Sequence, residues 1–543
     1  MAEKLSKLRD DRIRKLESLR ASGIDPFSHK KFERSHGIDD VRKAFSAIQP
    51  DEQLKDAKVS VAGRLRSIRL MGKGGFADIE DAAGKVQLWV ASDTVSKNDY
   101  ASFKNTDVGD IAGVKGYIFK TKKGELTIWV ESFLLLSKSL RPLPSEWYGL
   151  KDVETRYRQR YVDLVMNPEV KKTFQKRSKI IQAIREYFVD HGYLEVETPI
   201  LQPIYGGAFA RPFVTHHNAL DMKMYLRISN EMYLKRLIVG GLEKVFEFSP
   251  DFRNEGVDTT HNPEFLMLEA MTAYDDYRDG MKLFENLVSH AAQEALGTMK
   301  VEYQGTMLDF TPPWKRVRMV DVIKEQLEID VMKSSEKDLE DFIRKRGIKI
   351  KPDHKKGELI NVIFEEFVES KLIQPTIVHD YPIEVSALAK KCDGNPQFTE
   401  RFEVYIAGRE AGNNYTEIND PLELARRFKE ELKRGQAGDE EAHPMDEDFL
   451  RAVEYGMPPT CGIGVGMERI IMFLTNSPSI RDVMLFPALR TTKEEIYGDE
   501  DKFRVEKKPE EKKPVKLPVD EALGKILEKP AGSKAKPKRE KKK

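Results

Sequence analysis

The chain has 543 residues, of which 91 are Lys or Arg and 90 are Asp or Glu, giving a formal net charge of +1. This length exceeds a single hydrophobic core and predicts about two to four domains. The two cysteines, Cys392 and Cys461, exclude a disulfide framework, and their wide separation excludes a structural zinc site. No apolar run approaches the length of a membrane span, and the first residues lack the apolar segment of a secretory signal. We therefore expect a cytoplasmic protein.

Residues 1–57 are rich in Lys and Arg and predict a basic helical extension. Apolar residues recur there at near-helical spacing, at Leu5, Leu8, Ile13, Leu16 and Leu19. A helix of this kind either has a solvated polar face or follows an RNA backbone. The sequence leaves both interpretations open.

Residues 58–140 change to short alternating runs of the β type, which include VSVAGRL, FADIE, VQLWV and IAGVKGYIF. Five short strands in this length predict a small barrel, with an OB-fold as the first candidate. Four residues are suited to stack on unpaired bases or to hydrogen-bond with them: Arg69, Phe76, Gln87 and Glu131. Taken alone, the same four residues are ordinary barrel surface.

Residues 141–498 predict a larger α/β domain, which begins with the Pro-rich linker 141–149. Its first helix, within FQKRSKIIQAIREYFVDHG, has a 3.6-residue period and ends at His191. The run LEVETPIL predicts the strand that follows. Charged segments with helical periodicity predict a helical insertion at about residues 315–375.

The most informative segment is residues 252–274, FRNEGVDTTHNPEFLMLEAMTAY. A central Asn-Pro dipeptide predicts a strand, a loop and a returning strand. Arg253 suits bidentate binding of a phosphate, and Phe265 offers a flat face to a base ring. The segment also contains polar side chains that suit a nucleotide cleft, Glu255, His261 and Glu269. This combination is typical of a nucleotide-activating enzyme.

The run GIGVGMERI at residues 462–470 is a second informative segment. It is not a dinucleotide-binding fingerprint, because Met467 stands where the third glycine is required, and the chain has no GxxxxGK[ST] loop. The spacing predicts a strand packed closely against a helix, with Arg469 at the start of that helix. A guanidinium there can stack on a purine and meet a phosphate, although close packing alone explains the glycines.

Carboxylates are concentrated in RFEVYIAGREAGNNYTEIND, residues 401–420. Glu403 lies in a predicted strand and Glu410 follows the turn at Gly408. At that interval the two acids can share Mg²⁺ with the phosphates of ATP, or they are surface acids at the end of a sheet. Other polar residues predict a pocket whose acids require a cation, either a substrate ammonium or a structural Arg or Lys: Glu231, Glu269, Asn413, Tyr415 and Glu417.

These segments resemble the three motifs of class II aminoacyl-tRNA synthetases, and the match extends to the lysyl-tRNA synthetases of class IIb. GYLEVETPIL resembles motif 1, FRNEGVDTTHNPEF resembles motif 2, and GIGVGMERIIMFLTNSPSIRDVMLFPALR resembles motif 3. FRNEG and GNNYTEIND are similar to the lysine type. The resemblance covers nearly the whole chain, up to Arg490. It implies a multidomain α+β protein, with an N-terminal OB-fold barrel followed by an antiparallel-sheet catalytic domain that carries a helical insertion.

The resemblance implies a ligase that activates L-lysine with ATP to lysyl-adenylate, releasing pyrophosphate. The lysine is then transferred to the 3′ end of tRNA(Lys). It also implies Mg²⁺ as cofactor, a homodimer formed through motif 1 around Pro199, and no membrane partner.

For the nucleotide, the resemblance implies that Arg253 and Arg469 are the catalytic residues. Arg253 would hold the α-phosphate and the lysine carboxylate. Phe265 and Arg469 would sandwich the adenine, while Glu255 would contact its edge and His261 would reach the distal phosphates. The remaining residues implied for the ATP and metal sites are Asn262, beside the adenine, and the Mg²⁺ ligands Glu403 and Glu410.

For the amino acid, the resemblance implies that Glu231 takes the α-amino group and that Glu269 and Glu417 receive the ε-ammonium. The whole implied lysine site is Gly206, Glu231, Arg253, Glu269, Asn413, Tyr415, Glu417 and Gly464. The implied anticodon-binding residues are Arg69, Phe76, Gln87 and Glu131.

The chain departs from the family pattern at Met271, where a tyrosine is usual. Because the tyrosine hydroxyl helps to orient the lysine side chain, we expect weaker lysine affinity with specificity retained. Tyr415, in place of a usual phenylalanine, brings a hydroxyl that partly compensates. One neutral hydrogen bond contributes about 0.5–1.5 kcal/mol.

Two other functions fit parts of the sequence, namely a lysyl transferase acting on a protein or lipid and an inactive tRNA-binding regulator. The predicted barrel and the absence of a membrane span favour a tRNA ligase over the transferase. The retained Arg253, Arg469, Glu403 and Glu410 argue against an inactive protein. Residues 499–543 mix Lys, Glu and Pro and are expected to be disordered. This tail either binds tRNA electrostatically or is a solubilising or interaction segment.

Overall fold

The computed structural model describes residues 2–144, 150–208, 210–351, 354–436 and 444–491. The chain divides into one unit, Met1–Ala488, and a second, Leu489–Lys543. The expected disordered tail, residues 499–543, lies outside the described residues, as do residues 145–149 of the predicted linker. None of the helices in the described part of the chain is long and apolar enough to cross a membrane.

Two helices, α1 (Ala2–Ala21) and α2 (Ile38–Ala44), precede the barrel. Leu16 and Leu19 of α1 are buried, so one side of this basic helix is a packing face. Arg12 fixes the helix, because its guanidinium donates to the backbone oxygens of Ser139, at 2.7 Å, and Val108, at 3.0 Å.

A closed five-stranded barrel follows, with strand order β1-β2-β3-β5-β4. Its interior is aliphatic, and every strand contributes alternate residues to it, as Val59, Val61 and Leu65 do from β1. Its elements are β1 (Gln53–Met71), β2 (Gly74–Glu80), β3 (Lys85–Ala91), α3 (Lys97–Lys104), β4 (Ile111–Lys120) and β5 (Leu126–Ser137). The first strand begins at Gln53, inside the predicted helical extension 1–57, because Gln53 pairs with Phe119 of β4.

The larger domain is built on a mainly antiparallel nine-stranded sheet in the described residues, in the order β14-β15-β17-β18-β19-β11-β10-β6, with β16 paired to β17. A separate three-stranded sheet, β7-β9-β8, and a hairpin, β12-β13, lie outside it. The strands are β6 (Leu194–Glu195), β7 (Leu201–Gln202), β8 (Val214–His217), β9 (Met222–Leu226), β10 (Lys244–Phe252), β11 (Glu264–Ala273), β12 (Lys300–Tyr303), β13 (Thr306–Asp309), β14 (Lys315–Arg318), β15 (Thr376–Pro382), β16 (Lys391–Cys392), β17 (Asn395–Ile406), β18 (Arg409–Thr416) and β19 (Thr460–Gly466).

Helices cover one face of this sheet through a core that α6, α8 and α14 share with it. Glycine permits the close approach of α8, since a side chain at Gly412 would lie 2.5 Å from the Phe284 ring. The helices of the domain are α4 (Val153–Arg158), α5 (Arg160–Met166), α6 (Pro168–Asp190), α7 (Glu231–Val239), α8 (Tyr277–Leu296), α9 (Met319–Leu327), α10 (Glu336–Arg344), α11 (Lys356–Phe367), α12 (Pro421–Gln436), α13 (Glu447–Glu454) and α14 (Met467–Leu474).

Two predictions about elements differ from the structure. The run LEVETPIL is not one strand, because only Leu194–Glu195 and Leu201–Gln202 pair, in different sheets. Pro199 lies between them and has no N–H to donate to a ladder. The predicted helical insertion also begins differently, since Lys315–Arg318 forms β14 of the main sheet and pairs with β15.

Candidate active site

A cavity of about 640 Å³ opens on the sheet face that the α6–α8–α14 layer does not cover. Side chains alternate across each strand, so the strand that buries Leu268 and Ala270 in the helical core presents Met267, Glu269 and Met271 to the cavity. Its volume is in the range of small-molecule sites, about 300–1,000 Å³.

Most residues implied for ATP, metal and lysine line this cavity. They are Glu231, Arg253, Glu255, His261, Asn262, Phe265, Glu269, Glu403, Glu410, Asn413, Tyr415, Glu417, Gly464 and Arg469. Gly206 does not line it, although the next residue, Gly207, does.

The segment 252–274 begins at the last residue of β10 and continues as a loop and the returning strand β11, which pairs with β10. The predicted first strand therefore lies before the segment. The Arg253 N–H closes the loop by donating to the Pro263 oxygen at 2.9 Å. Asn262 is 6% exposed, and its amide oxygen accepts from the Ala488 N–H at 3.0 Å. Asn262 therefore holds the loop, rather than projecting freely into the cavity.

His261 lies on the outer part of the same loop, with about half of its side chain exposed. Its Nδ1 lies 2.9 Å from Asp258. Although partial burial acts in the opposite direction, hydrogen bonds from Thr260 and His261 hold the pKa of Asp258 below its usual range. Asp258 therefore remains an ionised carboxylate that orients the His261 ring.

Two arginines with different surroundings face the cavity. The Arg253 guanidinium carbon lies 5.0 Å from the centroid of Phe265, and within the described chain its Nε is buried without a hydrogen-bond partner. Arg469 donates to the Glu410 backbone oxygen at 2.8 Å and pairs with the Glu410 carboxylate at 3.3 Å. An unsatisfied buried guanidinium N–H is a site where an anion gains a charge-assisted bond.

Carboxylates collect around strands β17 and β18. Glu403 is held by Arg401 and accepts from Tyr381 at 2.9 Å and from Tyr405. Burial raises the pKa of Glu403, with Glu410 adding to the rise and Arg401 opposing it. Nearby, burial together with Glu410, Glu403 and a further glutamate raises the pKa of Glu369 to about 7. In the described residues no group of three or more acidic, His or Cys side chains could hold a metal ion.

The acids implied for lysine fall into two environments. Glu231 and Glu417 both form ion pairs with the ammonium of Lys235, which is 0% exposed. Glu269 accepts from Ser229 Oγ at 2.9 Å, and no ion pair to a cation is found for it in the described chain. Burial, reinforced by Asp251 and Glu231, raises the pKa of Glu269 well above its usual value.

Burial also raises the pKa of Glu417 to about 8, against the opposing effect of Lys235. The two glutamates raise the pKa of Lys235 in spite of its burial. Two of the three carboxylates share one internal ammonium, and in the described chain Glu269 has no ion pair to a cation. This part of the cavity is therefore suited to a cationic ligand.

Sequence reasoning did not select Lys235, Glu365 or Glu369. Lys235 lies four residues after Glu231 on α7, a spacing that places both side chains on one helix face. Glu365 and Glu369 line the cavity from α11 and the turn after it. Their sequence signal was only the charge density of FEEFVES.

The four implied anticodon residues lie on four strands of the barrel: β1, β2, β3 and β5. Arg69 and Phe76 are direct partners across β1 and β2. Gln87 accepts from Thr127 Oγ1 at 3.0 Å. Glu131 lies at the irregularity between β4 and β5, where it pairs with Lys58 at 2.6 Å.

Comparison with known proteins bears on both domains. The profile described as tRNA synthetases class II (D, K and N) matches residues 152–490, and the profile described as OB-fold nucleic acid binding domain matches residues 59–136. A lysine–tRNA ligase from Thermoanaerobacter sp. (strain X514) is 52% identical over 489 residues, which are 90% of this chain and 97% of that protein. A lysine–tRNA ligase from Bacillus subtilis (strain 168) is 52% identical over 478 residues, 88% and 96% of the two chains. The chain belongs to the lysine–tRNA ligase family.

Membership of the lysine–tRNA ligase family confirms the resemblance, and the predicted fold class is also confirmed. An OB-fold barrel precedes a catalytic domain of the class II type, whose sheet is mainly antiparallel. The segment likened to motif 2, residues 252–265, is the loop between β10 and β11 with the adjoining strand ends. The segment likened to motif 3 begins with β19 and α14.

Met271, the departure from the lysine–tRNA ligase pattern, is 2% exposed and is the cross-strand partner of Gly462 in β19. A side chain at its partner Gly462 would lie 2.2 Å from Glu417 Oε1 and 2.9 Å from Met271 Sδ. A larger residue at position 462 would therefore have to displace the ends of the Glu417 and Met271 side chains. Burial and a hydrogen bond to Glu231 raise the pKa of Tyr415. The Tyr415 hydroxyl therefore contacts Glu231, which is the acid implied for the α-amino group.

Proposed function

We propose that the protein activates L-lysine with ATP and transfers it to tRNA(Lys), as the names of its relatives state for those proteins. One observation carries the choice of amino acid. Three carboxylates, Glu231, Glu269 and Glu417, line the described cavity. Glu231 and Glu417 share the ammonium of Lys235, whereas no ion pair to a cation is found for Glu269 in the described chain. Lysine supplies two further ammonium groups, and a neutral side chain would leave buried acids unpaired.

The reaction needs no covalent enzyme nucleophile. A lysine carboxylate oxygen bonds to the α-phosphorus while the bond from that phosphorus to the bridging oxygen breaks, and pyrophosphate leaves. The terminal ribose hydroxyl of tRNA then attacks the adenylate carbonyl, and AMP leaves with the bonding electrons. Positioning and neutralisation of charge supply most of the rate.

Two arginines are proposed to carry that neutralisation. Arg253 binds the α-phosphate and the lysine carboxylate, in keeping with its buried, unpartnered Nε. Arg469 stacks on the adenine opposite Phe265, and Glu255 contacts the adenine edge. His261, oriented by Asp258, reaches the distal phosphates.

Mg²⁺ fits the carboxylates of Glu403 and Glu410. A site with one or two carboxylates that also uses substrate phosphates is usual for this ion. The raised pKa of Glu403 also indicates an acid that gains from a nearby cation. When bound, the ion would neutralise phosphate charge.

The lysine site is proposed to place the α-amino group at Glu231 and the ε-ammonium at Glu269 and Glu417. Asn413 and Tyr415 complete the polar wall, and Gly206 and Gly464 permit close approach. The anticodon is proposed to bind at the barrel residues Arg69, Phe76, Gln87 and Glu131.

ATP–pyrophosphate exchange with each of the twenty amino acids tests the proposed activity. We expect lysine to stimulate exchange most strongly. Better stimulation by another amino acid would show that the substrate assignment is wrong. Charging of purified tRNA(Lys), followed by acid gel electrophoresis, tests the second step. Lysine-dependent exchange without charging would favour a transferase with another acceptor.

We also propose a homodimer formed around Pro199. Apolar side chains near motif 1 are half-exposed in the single chain, as at Leu194 (51%) and Leu201 (47%), which is typical of an interface. Analytical ultracentrifugation of the full chain at micromolar concentration tests this, and a monomeric mass would refute it. The cytoplasmic location stays a prediction.

Lysine affinity is expected to rise with pH from about pH 6 to pH 8, because the empty site keeps Glu417 protonated below its pKa of about 8. Binding of the ε-ammonium requires the ionised acid, so the proton must leave. Calorimetry in two buffers of different ionisation enthalpy should detect this release. An affinity independent of pH over that interval would contradict the prediction.

The raised pKa of Glu417 has the opposite effect on the stability of the lysine-free protein, which should fall as pH rises. The folded pKa of Glu417 lies above the ordinary glutamate value of 4.5, so the folded state binds more protons between these values. The contribution of this group to stability is complete below about pH 4.5 and is lost as pH rises through about 8. Saturating lysine should offset that loss.

A further inference from the structure

Four aromatic rings form a continuous row across the outside of the barrel. This aromatic row consists of Phe76 on β2, Trp89 on β3, Trp129 on β5 and Tyr117 on β4, and each is the direct cross-strand partner of the next. The ring centroids are 4.5 Å apart for Phe76 and Trp89, 6.4 Å for the two tryptophans, and 5.8 Å for Trp129 and Tyr117. The row faces outward, because the adjacent residues along the strands, such as Leu88 and Ile128, are fully buried inside.

A cation lies at each end of the aromatic row. Arg69 is the partner of Phe76 across β1 and β2, and its side chain is exposed. At the other end Lys58 is the partner of Tyr117. Its ammonium lies 5.2 Å from the Tyr117 centroid and 2.6 Å from the Glu131 carboxylate. Aromatic faces flanked by positive charge are the arrangement that binds single-stranded nucleic acid, with bases on the rings and phosphates near the cations.

The two tryptophans are the accessible part of the row beyond Phe76. Trp89 and Trp129 are partly exposed, whereas Tyr117 is nearly covered, at 8% exposure. A side chain at Gly74 would lie 2.9 Å from the Trp89 ring, so this glycine gives the indole room to lie across β2. The rings could instead serve only to stabilise the barrel by packing across the strands. Such packing does not require tryptophan at positions that are exposed to water.

We propose that Trp89 and Trp129 stack unpaired bases of the bound tRNA beside those held at Phe76. The barrel would then bind a longer single-stranded segment than the three-base anticodon assigned to Arg69, Phe76, Gln87 and Glu131. Continuity of the row with Phe76 and its terminal cations identifies RNA as the occupant. This inference rests on the proposed function, since it takes tRNA as the substrate.

Pairs of variants in the full-length protein separate stacking from simple apolar burial. W89L and W129L keep apolar bulk but remove the ring, whereas W89Y and W129Y keep a ring. We expect each leucine variant to raise the Kd for tRNA(Lys) about tenfold, and each tyrosine variant to stay within about threefold. Lysine-dependent ATP–pyrophosphate exchange, which needs no tRNA, should not change. The control is Y455L, which removes a ring that is 84% exposed in the catalytic domain and should leave the Kd unaltered.

tRNA variants with one abasic loop nucleotide outside the anticodon triplet locate the bases. With the tRNA that lacks the base stacked on Trp129, W129L should bind almost as tightly as wild type. The two changes remove the same interaction, so their effects on affinity should not add. Additive losses at every loop position would overturn the proposal.

Each outcome separates this inference from the proposed function. If wild-type protein does not bind tRNA(Lys) or does not show lysine-dependent exchange, the proposed function fails. If it does both and the leucine variants bind tRNA as tightly as wild type, only the inference fails. Should the leucine variants not fold, tRNA must quench tryptophan emission in wild type but not in the W89Y/W129Y double variant, and equal quenching refutes the proposal.

Discussion

Replacing Arg253 by lysine should lower kcat/KM for lysine-dependent ATP–pyrophosphate exchange about 10²- to 10³-fold. This is the usual effect of removing one preorganised donor from developing charge. Lysine keeps the positive charge but loses the planar fork that can bind a phosphate and a carboxylate with two parallel bonds. Pyrophosphate exchange and single-turnover formation of the adenylate measure the effect, and the reduction should lie mainly in kcat.

The fold should tolerate R253K. Within the described residues the Arg253 Nε has no partner to lose, and the retained charge continues to moderate the raised pKa of Asp251, which burial takes to about 6. R278K is a matched control, because Arg278 is largely exposed at the start of α8 and does not line the cavity. Exchange within threefold of wild type for R253K would show that Arg253 does not hold the reacting groups.

The elements around the cavity could be predicted from sequence because each has a local physical signature. The Asn-Pro dipeptide indicated the loop that leads into β11, glycine spacing indicated β19, and helical periodicity indicated α6. The motif 1 strand was not predictable in this way, since a β-type run continues through Pro199 while the ladder does not. Likewise, nothing in KRVR distinguishes strand β14 from the helices that follow.

The contents of the cavity were predictable only in part. The resemblance brought Glu231, Glu269 and Glu417 to one pocket, but it did not supply Lys235, which holds two of them. Whether a lysine on an amphipathic helix is solvated or fully buried depends on which tertiary surface covers it. In the described chain Glu417 has Lys235 as a partner and Glu269 does not. This difference becomes visible only when α7 is placed on the sheet.

Replacing Glu269 by glutamine should raise the KM for lysine at least about 30-fold and make the empty protein more stable. The first effect follows because loss of one partner of a buried ion pair costs about 2–5 kcal/mol. The second follows because wild-type Glu269 is buried without a cation partner in the described chain, and burial and like charges raise its pKa. Glutamine has no charge to desolvate and can still accept from Ser229.

The pH dependence fixes the sign of the stability change. Wild-type stability falls as pH rises above the ordinary glutamate pKa of 4.5, because the folded state retains a proton that the unfolded state releases. E269Q lacks this linkage, so the difference in unfolding free energy between variant and wild type should grow from pH 5.5 to pH 7.5. Urea unfolding at both values measures it. E264Q is the control, since Glu264 is exposed on the same strand and should change neither property.

Lys235 provides the opposite case within the same pocket. K235M removes the ammonium that both Glu231 and Glu417 contact, and breaking a buried ion pair in this way costs about 3–5 kcal/mol. The empty variant should therefore be less stable than wild type, whereas E269Q is more stable. If both variants shift stability in the same direction, the pocket does not hold the excess of buried carboxyl groups over cations on which its selection of lysine is argued.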